Sequence, residues 1–141
     1  MQNYEEIIFN NLEKRKVIIN QEKTDQEIIA QALKCNNLSQ MMEWRIDYYE
    51  HATEIDRLLA ISQQIHQQAP QLQILTTFRS QKLGGKTELC SEDAYLNLVE
   101  LLINFNFGTA IDIELDHTPD RVNDLIKKAT NKHLLIREYH N

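Results

Sequence analysis

Three glycines, two prolines and two cysteines are all the conformationally special residues in this 141-residue chain. Cys35 and Cys90 are isolated, with no CxxC motif. That excludes a disulfide framework or a cysteine metal knuckle and points to reduced thiols in a cytoplasmic chain. No apolar run approaches the ~20 residues that a membrane-spanning helix needs. The start, Met1-Gln2-Asn3-Tyr4-Glu5-Glu6, is acidic and polar, unlike a secretory signal. Basic charge is also short. Fifteen Lys and Arg against twenty-one Asp and Glu give a net charge of −6, which argues against non-specific binding to nucleic acid. What remains is an ordinary globular composition, 42% hydrophobic and 26% charged, in a length that suits a single domain.

The most informative stretch is Met41-Met42-Glu43-Trp44-Arg45-Ile46-Asp47. Its strict alternation predicts a strand over 41–47 with Met42, Trp44 and Ile46 on one face and Glu43, Arg45 and Asp47 on the other. Charges of both signs at the carboxyl end of a strand are how α/β folds line a polar ligand site.

Around it, strand-like and helix-like segments alternate. Lys16–Asn20, Leu72–Arg79, Thr109–Asp116 and His133–Tyr139 read as the other strands. The helix over Thr24–Cys35 has Thr24 as its cap with Glu27 three residues on. Ile55, Leu58, Leu59, Ser62 and Ile65 follow at helical spacing, and Pro70 closes that helix. Ser91 caps a helix bearing Tyr95, Leu98, Val99, Leu102 and Ile103 that ends near Gly108. Pro119 suits the first turn of a helix carrying Val122, Leu125, Ile126 and Ala129. Repeated β-α units imply a parallel sheet with helices outside. We therefore expect an N-terminal extension over residues 1–15, a short amphipathic helix bearing Tyr4, Ile7, Ile8 and Leu12, and a partial (β/α) barrel over 16–141.

Polar residues gather at the predicted strand ends: Glu43, Arg45 and Asp47, then Thr77 and Arg79, then Asp112, Glu114 and Asp116, then Glu138 and His140. Two arginines beside a hydroxyl suit a small carboxylated, hydroxylated molecule, since the guanidinium fork binds carboxylate at two points. A strand-end histidine suits acid–base work. Plainer readings stand beside these. Glu43 and Arg45 can be a structural ion pair, and Asp112, Glu114 and Asp116, with His117 next to them, can form a divalent-metal site. His51, His66 and His133 read as surface residues.

Taken in order, Glu43-Trp44-Arg45-Ile46-Asp47, then Thr77-Phe78-Arg79 with Gly84-Gly85 five residues on, then Asp112-Ile113-Glu114-Leu115, resemble type I 3-dehydroquinate dehydratase. The resemblance runs from Lys16 to His140. It implies an α/β fold corresponding to the first five strands of a TIM (β/α)8 barrel. The implied activity is a cofactor-free dehydration of 3-dehydroquinate through a Schiff base, a step of the shikimate pathway. By resemblance, His140 is the catalytic histidine; Glu43, Arg45 and Arg79 hold the substrate; Asp112 and Glu114 support them.

Two departures bear on activity. Leu83 stands where the family carries a glutamate that supports the histidine. The Schiff-base lysine is placed on a later strand, beyond Asn141, and Lys82 and Lys86, in the loop after strand three, do not match it. The expectations for these residues alone are no substantial turnover, no nucleic-acid or membrane partner, and self-association, because five strands of a closed barrel leave two open edges.

Overall fold

The computed structural model describes residues 17–38, 40–105, 108–129 and the backbone of 133–137. Strands β1 (Val17–Asn20), β2 (Met41–Arg45), β3 (Ile74–Thr77), β4 (Ala110–Glu114) and β5 (His133–Arg137) form one sheet in sequential order, every neighbouring pair parallel. Between them run α1 (Asp25–Asn37), α2 (Ile55–Gln68), α3 (Glu92–Asn104) and α4 (Pro119–Lys128). Residues 1–16 and 138–141 lie outside the described residues, so the expected N-terminal extension, Glu138 and His140 have no structural account here.

Two of the helices, α1 and α3, start where the sequence supplies side-chain acceptors. Thr24 Oγ1 accepts from Glu27 N at 3.2 Å, and Ser91 Oγ from Ala94 N at 3.2 Å, each quieting an otherwise unpaired first-turn amide. The Thr24–Glu27 pairing differs from a usual capping box, because Glu27 Oε1 accepts from the Thr24 hydroxyl at 2.8 Å. Along α2, Leu58, Ile61 and Ile65 repeat on one face and are fully buried, each worth roughly 1.5–3 kcal/mol of transfer free energy.

Period two in the strands separates two apolar layers. Met42, Trp44, Ile111 and Ile113 join the buried faces of all four helices in the main core. On the opposite face, Met41, Leu75 and Ala110 form a second, smaller cluster with Val17 against it. The register puts Val17 beside Met41 and Leu75 beside Ala110, so this second layer runs across the sheet like the filling of a parallel barrel. Toward the carboxyl ends of the strands the same face turns polar.

Strands β2, β3 and β4 are shorter than the sequence predicts, β3 spanning Ile74–Thr77 instead of Leu72–Arg79. β2 stops at Arg45, and Ile46–Tyr48 coil into a 3₁₀ turn. β4 stops at Glu114, so Asp116 does not continue its face. In the first case the reason is visible: the turn brings the Asp47 carboxylate onto the backbone amides of Arg79, at 3.3 Å, and Lys86, at 3.1 Å.

Candidate active site

The polar face begins with Glu43. Its side chain is buried, and Oε2 accepts from Thr77 Oγ1 at 2.8 Å. Burial pushes the Glu43 pKa above the usual carboxylate range; the Thr77 hydrogen bond and the charges of Arg79 and Arg45 restrain that rise. Arg45 lies at the rim. Its Nε and Nη2 fork onto the two oxygens of Asp47 at 2.9 Å each, and its guanidinium sits 5.1 Å from the centre of the Tyr48 ring. The partner of Arg45 is therefore Asp47, and the simple Glu43–Arg45 ion pair is not formed.

Arg79 is the centre of the buried cluster. Its Nη1 and Nη2 meet Asp112 Oδ1 and Oδ2 at 3.2 and 3.0 Å, and Nη1 also donates to Glu114 Oε2 at 2.7 Å. The two carboxylates share this guanidinium yet are pushed in opposite directions. Asp112, wholly buried, has its pKa raised to about 7 by burial, against the pull of Arg79 and with added repulsion from Glu43 and Glu114. For Glu114 burial also acts upward, but hydrogen bonds from His117 and Ser80 and the charge of Arg79 outweigh it and hold the group below its ordinary range. A pair split in this way gives one carboxyl that exchanges a proton near neutrality and one that stays ionised.

The alternative metal set of Asp112, Glu114 and Asp116 is not brought together among the described residues. Asp112 and Glu114 are drawn together by Arg79, while Asp116 lies past the end of β4 in the wall of a different cleft. Among the described residues no group of three His, Cys, Asp or Glu is placed to hold a metal ion. That separate cleft, about 580 Å³, is bordered by Ser80, Lys82, Glu92, Tyr95, Asp116 and His117. Of the two loop lysines, Lys82 and Lys86 are both exposed, and the Lys86 ammonium stands 5.8 Å from the centre of the Tyr48 ring. His66 is exposed as expected, whereas His51 is half-buried beside Glu50 and Glu54.

Three residues named from the sequence take roles there that it did not assign them. Asp47 fastens the loop after β3: besides the two amides, its backbone oxygen accepts from Thr87 Oγ1 at 2.6 Å. Gly85 allows that loop to close, since a Cβ there would lie 1.8 Å from the Arg79 carbonyl oxygen. Tyr95 Oη accepts from the Glu114 amide at 3.1 Å, and its ring stacks on His117 with centroids 4.1 Å apart. The alternation that exposed Glu43 carries no signal for contacts made by loops.

A parallel, sequential β/α sheet whose inner face changes from apolar to charged at the strand ends defines a TIM-barrel-type architecture. The family model described as type I 3-dehydroquinase matches residues 17–141, and the chain belongs to that family. It is 35% identical over 107 residues to the 3-dehydroquinate dehydratase of Enterococcus faecalis, covering 75% of this chain and 42% of the relative. It is 30% identical over 96 residues to the Lactiplantibacillus plantarum enzyme of the same name, covering 68% and 38%. The solved structure of the E. faecalis enzyme superimposes with a TM-score of 0.77 at 31% identity, over 88% of this chain and 52% of that one. The chain thus spans about two-fifths of the length of these curated relatives. The fold corresponds to the first five strands of their barrel.

Proposed function

We propose that the inner face of this sheet is the substrate-holding half of a 3-dehydroquinate dehydratase site. The observation that carries the reading is the convergence of Glu43, Thr77 and Arg79 on one polar face, with Arg45 at its rim, in a chain that the type I 3-dehydroquinase model matches from residue 17 onward. In this reading the arginines hold the carboxylate and hydroxyl region of 3-dehydroquinate, and Asp112 and Glu114 hold Arg79 in place. Were an amine supplied from outside these residues to form the Schiff base with the ketone, releasing water, His140 would take the C2 proton and pass one to the departing C1 hydroxyl, which leaves as water. An iminium acidifies the neighbouring carbon, which is why an amine and an imidazole suffice without a cofactor. Lys82 and Lys86 are exposed on the loop after β3, and Leu83 brings no carboxylate to that loop. We therefore propose that these 141 residues by themselves bind substrate without substantial turnover. The test follows formation of 3-dehydroshikimate by absorbance, with borohydride trapping of any imine and a His140→Ala control. Turnover that the substitution abolishes, or a trapped adduct, would overturn the inactive reading.

A second copy of the chain as partner is part of the same proposal. The outer strands β1 and β5 each have one neighbour among the described residues, and Ile19 on β1 is 49% exposed. Open parallel strand edges favour cover by another chain. A monomer mass at micromolar concentration by size exclusion with light scattering would refute it. A reduced, cytoplasmic setting also belongs to this reading, supported by the free thiols of Cys35 and Cys90 and by the absence, among the described residues, of a helix long and apolar enough to cross a membrane.

A further inference from the structure

We propose that His117, in the loop after β4, is a positioning residue that holds the Arg79 guanidinium through Glu114. The role rests on the reading of Arg79 as a ligand-holding residue, but its geometry stands independently. His117 Nε2 lies 2.8 Å from Glu114 Oε1, and Nδ1 lies 3.1 Å from Glu92 Oε1. An ionised carboxylate only accepts, so both contacts are hydrogen bonds only when the ring carries a proton on each nitrogen. The ring is 7% exposed, lies flat on Tyr95 and is clamped at both ends, which fixes its plane.

The far side of the same carboxylate does the positioning. Glu114 Oε2 accepts from Arg79 Nη1 and, at 3.1 Å, from the amide of Ser80, the residue after Arg79. Glu114 is thus gripped by an imidazole on one oxygen and grips both the side chain and the following backbone of Arg79 with the other. Glu92 anchors the chain of contacts at the start of α3, where it also accepts from Thr118 N at 3.2 Å and Thr118 Oγ1 at 3.0 Å. The charged and titratable groups facing this carboxylate are Arg79 from the end of β3, Asp112 from β4, Tyr95 from α3 and His117 itself; Glu43 lies across the face on β2, and Arg137 is the in-register neighbour on β5. Removing the imidazole takes away a hydrogen-bond donor from one side, so Glu114 becomes easier to protonate and its hold on Arg79 loosens.

Carboxyl ¹³C NMR of the full chain tests this, with the Glu114 resonance assigned by Glu114→Gln. In His117→Gln the Glu114 midpoint is expected to rise by about one pH unit, since the imidazole hydrogen bond that holds it low is lost. Exchange of the Arg79 Nη1 protons, one of which is donated to Glu114, is expected to quicken about tenfold. Glu92→Gln, at an exposed site, should move both readouts in the same direction by less, and serves if His117→Gln does not fold. A folded variant in which neither readout moves would overturn the proposal. A separate titration with 3-dehydroquinate should show affinity about three- to tenfold weaker in His117→Gln, the loss of one charge-assisted contact. If the unaltered chain binds no 3-dehydroquinate while both NMR readouts respond, the substrate reading fails and the hold of His117 on Arg79 stands.

Discussion

Arg79 and Asp112 meet through two parallel contacts, Nη1 to Oδ1 at 3.2 Å and Nη2 to Oδ2 at 3.0 Å, with both side chains almost wholly removed from solvent. Such a pair is a weak source of net stability while intact, yet breaking it leaves a buried charge unpaired. Arg79→Met should therefore cost about 3–5 kcal/mol in urea unfolding. Adding Asp112→Asn should recover part of that loss, because one of the two carboxylates that faced the guanidinium is then neutral. Strictly additive effects would show that the two residues do not act as a pair.

The split carboxyls predict an unusual pH response. Asp112 has a folded pKa of about 7 against an ordinary 3.8, so between those values the folded chain keeps a proton that the unfolded chain has lost. Its contribution is complete below the unfolded value and is lost as pH rises toward 7. The slope approaches about 1.4 kcal/mol per pH unit for one such group. Glu43 acts in the same direction. Glu114, held low, acts oppositely: its contribution is present above the unfolded value and lost as pH falls through its folded one. Denaturant midpoints from pH 4 to 7 should fall less steeply in Asp112→Asn than in the unaltered chain. Identical slopes would refute the assignment.

Asp47→Asn should loosen the loop after β3 without dismantling the sheet. One carboxylate oxygen now serves Arg45 and the Arg79 amide, and the other serves Arg45 and the Lys86 amide. An amide side chain keeps only one acceptor, so one backbone donor loses its partner, at a cost of roughly 1–3 kcal/mol. Hydrogen exchange should accelerate at Arg79 or Lys86 while β4 amides stay protected. Unchanged exchange at both would contradict the fastening role.

Adjacent glycines should respond unequally. At Gly85 an added Cβ would collide with the Arg79 carbonyl oxygen and with the carbonyl carbons of Arg79 and Ser80, so Gly85→Ala must push the loop away from Glu114. At Gly84 nothing lies within 4 Å, and the cost of alanine is the positive φ of 101°, about 1–2 kcal/mol. Thermal unfolding should place Gly85→Ala below Gly84→Ala. The reverse order would show that the loop closes differently.

The sheet, its parallel order and much of the helix faces were legible because burial imposes periods of two and 3.6 that can be read directly from Met42, Trp44 and Leu58, Ile65, although the spacing picks out Leu59 and Ser62 in place of the buried Ile61. The inward set Glu43, Thr77, Arg79, Asp112 and Glu114 followed from the same alternation. Partner choice did not. Arg45 pairs with Asp47 only because the chain coils after β2, and Asp116 leaves the set because β4 ends two residues before it. These outcomes depend on where a strand stops, which is decided by backbone amides far away in sequence. His117 was visible as a neighbour of three acids, but its partner Glu92 lies 25 residues earlier on another helix. No local pattern encodes that contact.

The central claim is that this polar face holds 3-dehydroquinate through Arg45 and Arg79. Arg45 is the sharper probe, since its side chain is 16% exposed and Asp47 keeps two backbone partners without it. Isothermal titration of 3-dehydroquinate onto the chain, at low and at high salt, is compared with Arg45→Gln and Arg45→Lys. The account predicts saturable binding that weakens with salt, falls about tenfold or more in Arg45→Gln, and is only partly restored by lysine, which lacks the planar fork. Absence of binding, or binding that neither salt nor Arg45→Gln alters, would contradict it.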